Sequence, residues 1–212
     1  ETEAIEPALL NDSQRLWYII RAHAMELLGL NLLFIALSLP LITLPAALCG
    51  MTSILMKWVR DETVFFWSDF WREFKADFFS RFLAWLLLTL IPISLSLYAE
   101  WFFVRGGGIV LAVILGAVSL VIQSYLFPIL VMVALPTKTA VRNAVFMSFV
   151  EWRYSLRILL FSGLAYAVCF IFTLYTIPAV LLGLVVLCQL TVCVWVNDPI
   201  SRRLILPREP LE

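Results

Sequence analysis

Cys49, Cys169, Cys188, Cys193, His23 and Glu100 are the side chains that first invite a catalytic or metal site. The four cysteines all lie in apolar runs, where a thiol reads as a small buried hydrophobe rather than a disulfide partner or metal ligand. His23 is the only histidine, which excludes a histidine-pair metal site and a histidine relay. Glu100, flanked by Tyr98 and Trp101 at the end of an apolar run, suits a solvated carboxylate. The "RGGG" of Arg105–Gly108 reads as a tight turn between apolar runs, not a phosphate loop. With no Gly-x-Ser-x-Gly elbow and no paired carboxylates inside the apolar runs, the expectation is no enzyme, no cofactor and no metal. The formal net charge of +0 gives no field to recruit nucleic acid.

What remains is the chemistry of recognition, concentrated in "WSDFWREFKADFF", Trp67 to Phe79. On one helix, Trp67, Phe70, Trp71, Phe74, Phe78 and Phe82 share a face, with Asp69, Arg72, Glu73, Ala76, Asp77 and Ser80 opposite. Asp77 and Arg81 are spaced for an ion pair. Such a helix lies along a membrane interface, rings toward the acyl chains and charges in water. It serves either as a brace between spans or as a docking surface. The candidate docking residues are Trp67, Phe70, Trp71, Arg72, Phe74, Lys75 and, from a later segment, Trp152. In that segment, Val141 to Ile158, the residues Val141, Val145, Phe149, Trp152 and Leu156 take one side. Arg142, Ser148, Glu151 and Ser155 take the other.

The elements that hold these helices follow from composition. The chain has 212 residues, 63% hydrophobic and 14% charged, with mean hydropathy +0.98. Soluble domains are far more polar, so an all-α polytopic membrane protein is expected, forming a single membrane domain over 1–212. A span needs about 20 apolar residues. Residues 82–104, 109–135, 158–174 and 178–196 qualify, the last two separated by a turn at Tyr175–Pro178. Residues 27–56 contain Pro40 and Pro45 and read either as one bent span, the preferred reading, or as a re-entrant pair of half-helices. That makes about five transmembrane helices. Amphipathic helices are expected over 8–26, 65–81 and 138–154, with a tail over 197–212. Residues 1–24 are too polar for a cleavable signal peptide. The basic clusters at 57–81, 138–157 and 202–208 place those loops and the C-terminus in the cytoplasm. One bent first span then puts the N-terminus outside. The order inward span, surface helix, outward span occurs twice.

Inside the spans the polar content is thin. Ala112, Gly116, Ser119 and Gln123 align on one face, and Gly163 with Ala167 and Ala179 with Gly183 form small-xxx-small pairs. These suit helix packing, with Pro40 and Pro45 as hinge points. Gln123 and Gln189 alone offer too few contacts for a transport pathway.

"NLLFIALSLPLITLPAAL" (Asn31–Leu48), "KWVRDE" (Lys57–Glu62) and "FWREFKADF" (Phe70–Phe78) resemble the YesL-like family of small bacterial membrane proteins. The likeness extends through "FPILVMVALPTKTAVRNAVFMSF" (Phe127–Phe149). Asn31, Pro45, Ala46, Phe70, Trp71 and Phe74 match the family pattern, while Ala47 stands where a small hydroxyl residue is expected. The resemblance implies a bacterial inner-membrane protein associated with carbohydrate uptake, with no catalytic residues to carry over. The expected function is therefore a non-enzymatic accessory or regulatory subunit, whose partners are the lipid bilayer and a membrane protein or a second copy. The alternative is a small transporter or channel subunit gated by the Pro-broken first region.

Overall fold

The computed structural model describes residues 11–102, 107–133, 135–171 and 183–205, and every regular element among them is helical. Helix α1 (Asp12–Ala22) opens with a capping box. Asn11 accepts from the first turn, and Gln14 Oε1 accepts from the Asn11 N–H at 3.2 Å. At His23 the chain bends by 85° into α2 (Ala24–Ser38). Pro40 then ends that helix, and after a 3-10 turn (Leu41–Thr43) α3 runs from Leu44 to Val59 with Pro45 in its first turn. Thr43 Oγ1 donates to the carbonyls of Pro40 (2.7 Å) and Leu37, so the backbone groups freed at the break find a partner.

The preferred single bent span over 27–56 does not form. The His23 ring stacks on Trp58 with centroids 4.6 Å apart and planes 15° from parallel. In a straight helix those residues would stand about 52 Å apart at 1.5 Å per residue. The chain has doubled back, and α2 and α3 form a hairpin whose tip is the Pro40–Thr43 break. The α2 arm, at 15 residues, is shorter than a full crossing, whereas the 3-10 turn and α3 together make a stretch of 19 residues.

Helix α4 (Phe66–Lys75) folds back onto α3 and is shorter than the expected 65–81. Ala76 is extended and Asp77 takes a left-handed φ of 43°, tolerable for Asp, and a new helix, α5 (Phe78–Phe102), starts in another direction. The ion pair expected between Asp77 and Arg81 is absent for the same reason. The break swings Arg81 toward Glu73 instead (Nη2 to Oε2 3.2 Å; Nη1 to the Glu73 carbonyl 2.8 Å), where it is buried.

Helices α5 and α6 (Gly107–Met132) pair closely and are each long enough to cross a bilayer. Pro92 inside α5 cannot donate to the Leu88 carbonyl, four residues back. Ser119 Oγ of α6 donates to it, and Gln123 Nε2 donates to Ser119 Oγ at 3.0 Å. A proline that would leave a bare carbonyl among apolar side chains is thus answered by the next helix. At the other end, Glu100 Oε2 accepts from the Gly108 N–H at 2.9 Å. A Cβ on Gly108 would collide with Glu100 and the Ser96 carbonyl, so glycine allows the two helices to meet there.

Helix α7 (Thr137–Val150) packs back along α6, followed by α8 (Trp152–Ile171), α9 (Val185–Ile200) and a π-turn (Ser201–Ile205). The apolar side expected over Val141–Leu156 is divided, with Val141 and Val145 packed on the core and Phe149, Trp152 and Leu156 exposed. Ala140, Ala144 and Met147 are buried, while Phe146, Phe149, Trp152 and Leu156 face outward. Both sides of this helix carry apolar residues, so periodicity cannot tell the packing side from the exposed side. The turn expected at Tyr175–Pro178 and its Cys169 neighbourhood lie outside the described side chains. Helix α9 is apolar all round and central. Val186, Leu190 and Cys193 join a core with α1–α4, while Val192, Val196 and Ile200 join a core with α6–α8.

Three helical stretches are long and apolar enough to cross a membrane, Leu41–Val59, Phe78–Trp101 and Gly108–Met132, or four if the bent α1–α2 pair counts.

Candidate functional site

Two places gather the residues singled out from the sequence: the α3–α4 face and a cavity beside α5 and α6. On α4 the expected ring face is split. Phe70 is fully buried against Gly50, where an added Cβ would stand 2.9 Å from the ring. Trp71 and Phe74 are half-buried, edge-on to each other at 5.1 Å, and pack on the same core. Trp67 points away, 62% exposed, beside exposed Phe65. Arg72 and Lys75 are also on the outside, Arg72 within 3.2 Å of Asp69. Trp152 does not join this face; it lines a groove with Val118, Val121 and Phe149.

Asp69, expected in water, is instead the anchor. Its Oδ2 accepts from Lys57 Nζ at 2.6 Å and from the Phe65 N–H at 2.9 Å, so one carboxylate ties α3 to α4 and caps the start of α4. Burial pushes its carboxyl up. The bonds from Lys57 and Phe65 and the charges of Lys57 and Arg72 outweigh that and hold it below the ordinary carboxylate value. No spacing rule could find this pair, because its members are 12 residues apart on different helices. Nor could one find Glu151 with Arg203 (2.6 Å), or Tyr154 Oη donating to Asp198 (3.0 Å), which close the end of the bundle where α8 starts and α9 ends.

The hairpin is tied to α9 by two polar contacts. Buried Asn31 Oδ1 accepts from the Val186 N–H at 3.4 Å, satisfying one of the first N–H groups of α9. Gln189 Nε2 donates to Thr52 Oγ1 at 3.1 Å. Pro40 lies in the hairpin tip and buried Pro45 at the start of α3. Gly183, with φ 122°, holds a backbone conformation that favours glycine just before α9. Gly163 is exposed with open space around it, and the partners proposed for these two glycines, Ala167 and Ala179, lie outside the described side chains.

The Ala112–Gly116–Ser119–Gln123 stripe does not simply pack. It forms one wall of a cavity of about 460 Å3, with Thr89 and Ser96 of α5 opposite and Gln189 of α9 beside them. Among the described residues no group of three or more His, Cys, Asp or Glu side chains is placed to hold a metal.

A family model described as "Protein of unknown function, DUF624" matches residues 27–99, from the first turn of α2 to near the end of α5. No curated protein and no solved structure matches the chain.

Proposed function

We propose that this chain is a YesL-like, non-enzymatic accessory subunit of a bacterial inner-membrane complex for carbohydrate uptake, and that it docks through the outer side of α4. The observation that carries the docking is the two-sided character of that helix. Phe70 and Asp69 fix it from behind, so Phe65, Trp67, Arg72 and Lys75 are held out as rings and cations on a rigid support. Preorganised aromatic and arginine side chains are what protein interfaces favour. The association with carbohydrate uptake rests on the family resemblance, whose motifs fall largely within the matched residues 27–99.

In this reading α5 and α6 are full spans, α8 and α9 are the described parts of the spans expected at 158–174 and 178–196, and α2–α3 is a re-entrant hairpin. The base of the hairpin then lies on the same side as the end of α9. Asn31 meeting Val186 and Thr52 meeting Gln189 support that arrangement, since they align α3 and α9 in one direction. Lys57 and Arg60 then share the cytoplasmic side with Lys138, Arg202 and Arg203, as the positive-inside rule requires, and the N-terminus joins them. Labelling of Arg72→Cys or Arg142→Cys by an impermeant reagent applied outside intact cells would overturn this orientation.

The docking is tested by placing a photo-crosslinking residue at position 67 or 75 in cells that express a sugar importer encoded alongside. A crosslink to an importer subunit from these positions, and not from lipid-facing Ile114, is expected. Equal yields from 67, 75 and 114 would refute the docking face. The hairpin also favours a second reading, a transporter or channel gated at Pro40–Thr43, because broken helices line many transport sites. Sugar or ion flux in liposomes that is lost in a Thr43→Ala variant would favour it over the accessory role.

A further inference from the structure

The cavity between α5 and α6 has an unusual wall for its depth. Six polar side chains face it, Thr89, Ser96, Ser119, Gln123, Ser124 and Gln189, and no charged residue does. Their donors are largely used. Ser96, Ser119 and Ser124 each donate to a backbone carbonyl, Gln123 Nε2 donates to Ser119, and Gln189 Nε2 donates to Thr52. The amide oxygens of Gln123 and Gln189 accept from no donor among the described residues. Two strong acceptors in one space with a largely apolar lining ask for a ligand that donates.

The way in is also constrained. Apart from Leu48 of α3 and Gln189 of α9, the wall is drawn from Trp85–Ser96 of α5 and Ala112–Phe127 of α6, the middle of both helices, and no residue of their ends contributes. Helix α5 buries only 6% of its span-length stretch, so as a membrane span it would meet the bilayer directly. Access is therefore sideways, from the hydrocarbon. A charged headgroup would stay at the interface and would meet no countercharge inside. Apolar side chains, Trp85, Ile93, Leu120 and Phe127 among them, complete the lining and suit acyl chain.

We propose that this cavity binds a neutral lipid with a free hydroxyl, such as a diacylglycerol or a long-chain alcohol, whose O–H donates to Gln123 or Gln189. The inference does not depend on the docking role of α4. It is tested on the full chain in phosphatidylcholine nanodiscs carrying a minor fraction of 1,2-dioleoylglycerol or its 3-acetyl derivative. Lipid kept by the protein is read by native mass spectrometry. Wild type should retain the free alcohol about tenfold over the acetylated lipid, the ratio expected for one neutral hydrogen bond in a dry site. Gln123→Leu with Gln189→Leu should erase that preference. Gly116→Leu, which fills the void where an added Cβ meets nothing within 4 Å, should lose both lipids. If Gly116→Leu fails to fold, Gly116→Ala should still lower retention. Equal retention of the two lipids by wild type, retention unchanged by filling Gly116, or displacement of the bound lipid by added glycerol or maltose would each overturn the proposal.

Discussion

Helices α3 and α5 are both apolar and are separated only by the short α4, yet α3 buries 72% of its span-length stretch and α5 only 6%. The buried one is the more polar. It carries Ala46, Ala47, Cys49, Gly50, Thr52 and Ser53 inward, whereas α5 turns Leu87, Leu90, Ile91, Leu95 and Leu97 outward. In water the order would be reversed, because burying large apolar side chains drives folding there. In a bilayer lipid tails would be as apolar as leucine, so the choice would fall to close packing and hydrogen bonds, which small and weakly polar residues supply.

That contrast can be broken at several points. Gly50→Leu should do the most damage, since it drives a side chain into the fully buried Phe70 ring. Overpacking of this kind costs about 3 kcal/mol, read as a lower midpoint of thermal or denaturant unfolding in detergent. Asp69→Ala should come next, at about 2 kcal/mol, because the Lys57 and Phe65 N–H donors both lose a charged acceptor. Asp69 also gives the α3–α4 pairing an acid limit. Its folded-state value is lowered, so its contribution is complete above the unfolded value of about 3.9 and is lost as pH falls below it through the folded value. The fluorescence change that accompanies α4 release in acid should be absent in Asp69→Asn. Ser119→Ala, which bares the carbonyl freed by Pro92, should cost about 1 kcal/mol. Leu87→Ala on the outer side of α5 should change stability by less than about 0.5 kcal/mol. A large loss there would mean that α5 is covered by protein rather than lipid.

Much of the architecture was legible from residue pattern. Composition gave helices and stretches apolar enough to cross a bilayer, the α5 and α6 stretches lie within a few residues of those expected, and the Phe70–Phe74 spacing falls on a helix, α4. Three features were not legible. The hairpin at Pro40 depends on whether His23 finds Trp58, and a proline pair allows a bend of any size. The helix over 65–81 was drawn too long because its ring spacing continues through Asp77, while the backbone does not. The side of α7 that packs was not decided by its pattern, since Val141 and Val145 lie against the core while Phe149 of the same side is exposed. Of the candidate site, Gln123 and Gly116 were found for their alignment, but that they line a cavity depends on Pro92 and Gln189, which no local spacing connects to them.

The sequence by itself determined which stretches are helical, which are apolar enough for a bilayer, and which hold charge. Those properties follow from the residues within each stretch. The tertiary structure alone decided which side of each helix faces its neighbours, where Asp69 and Arg81 find their countercharges, and that the first apolar region turns back on itself. Each of these depends on a pair of residues far apart in the chain, and the energy of a pair is defined only once both members are in place.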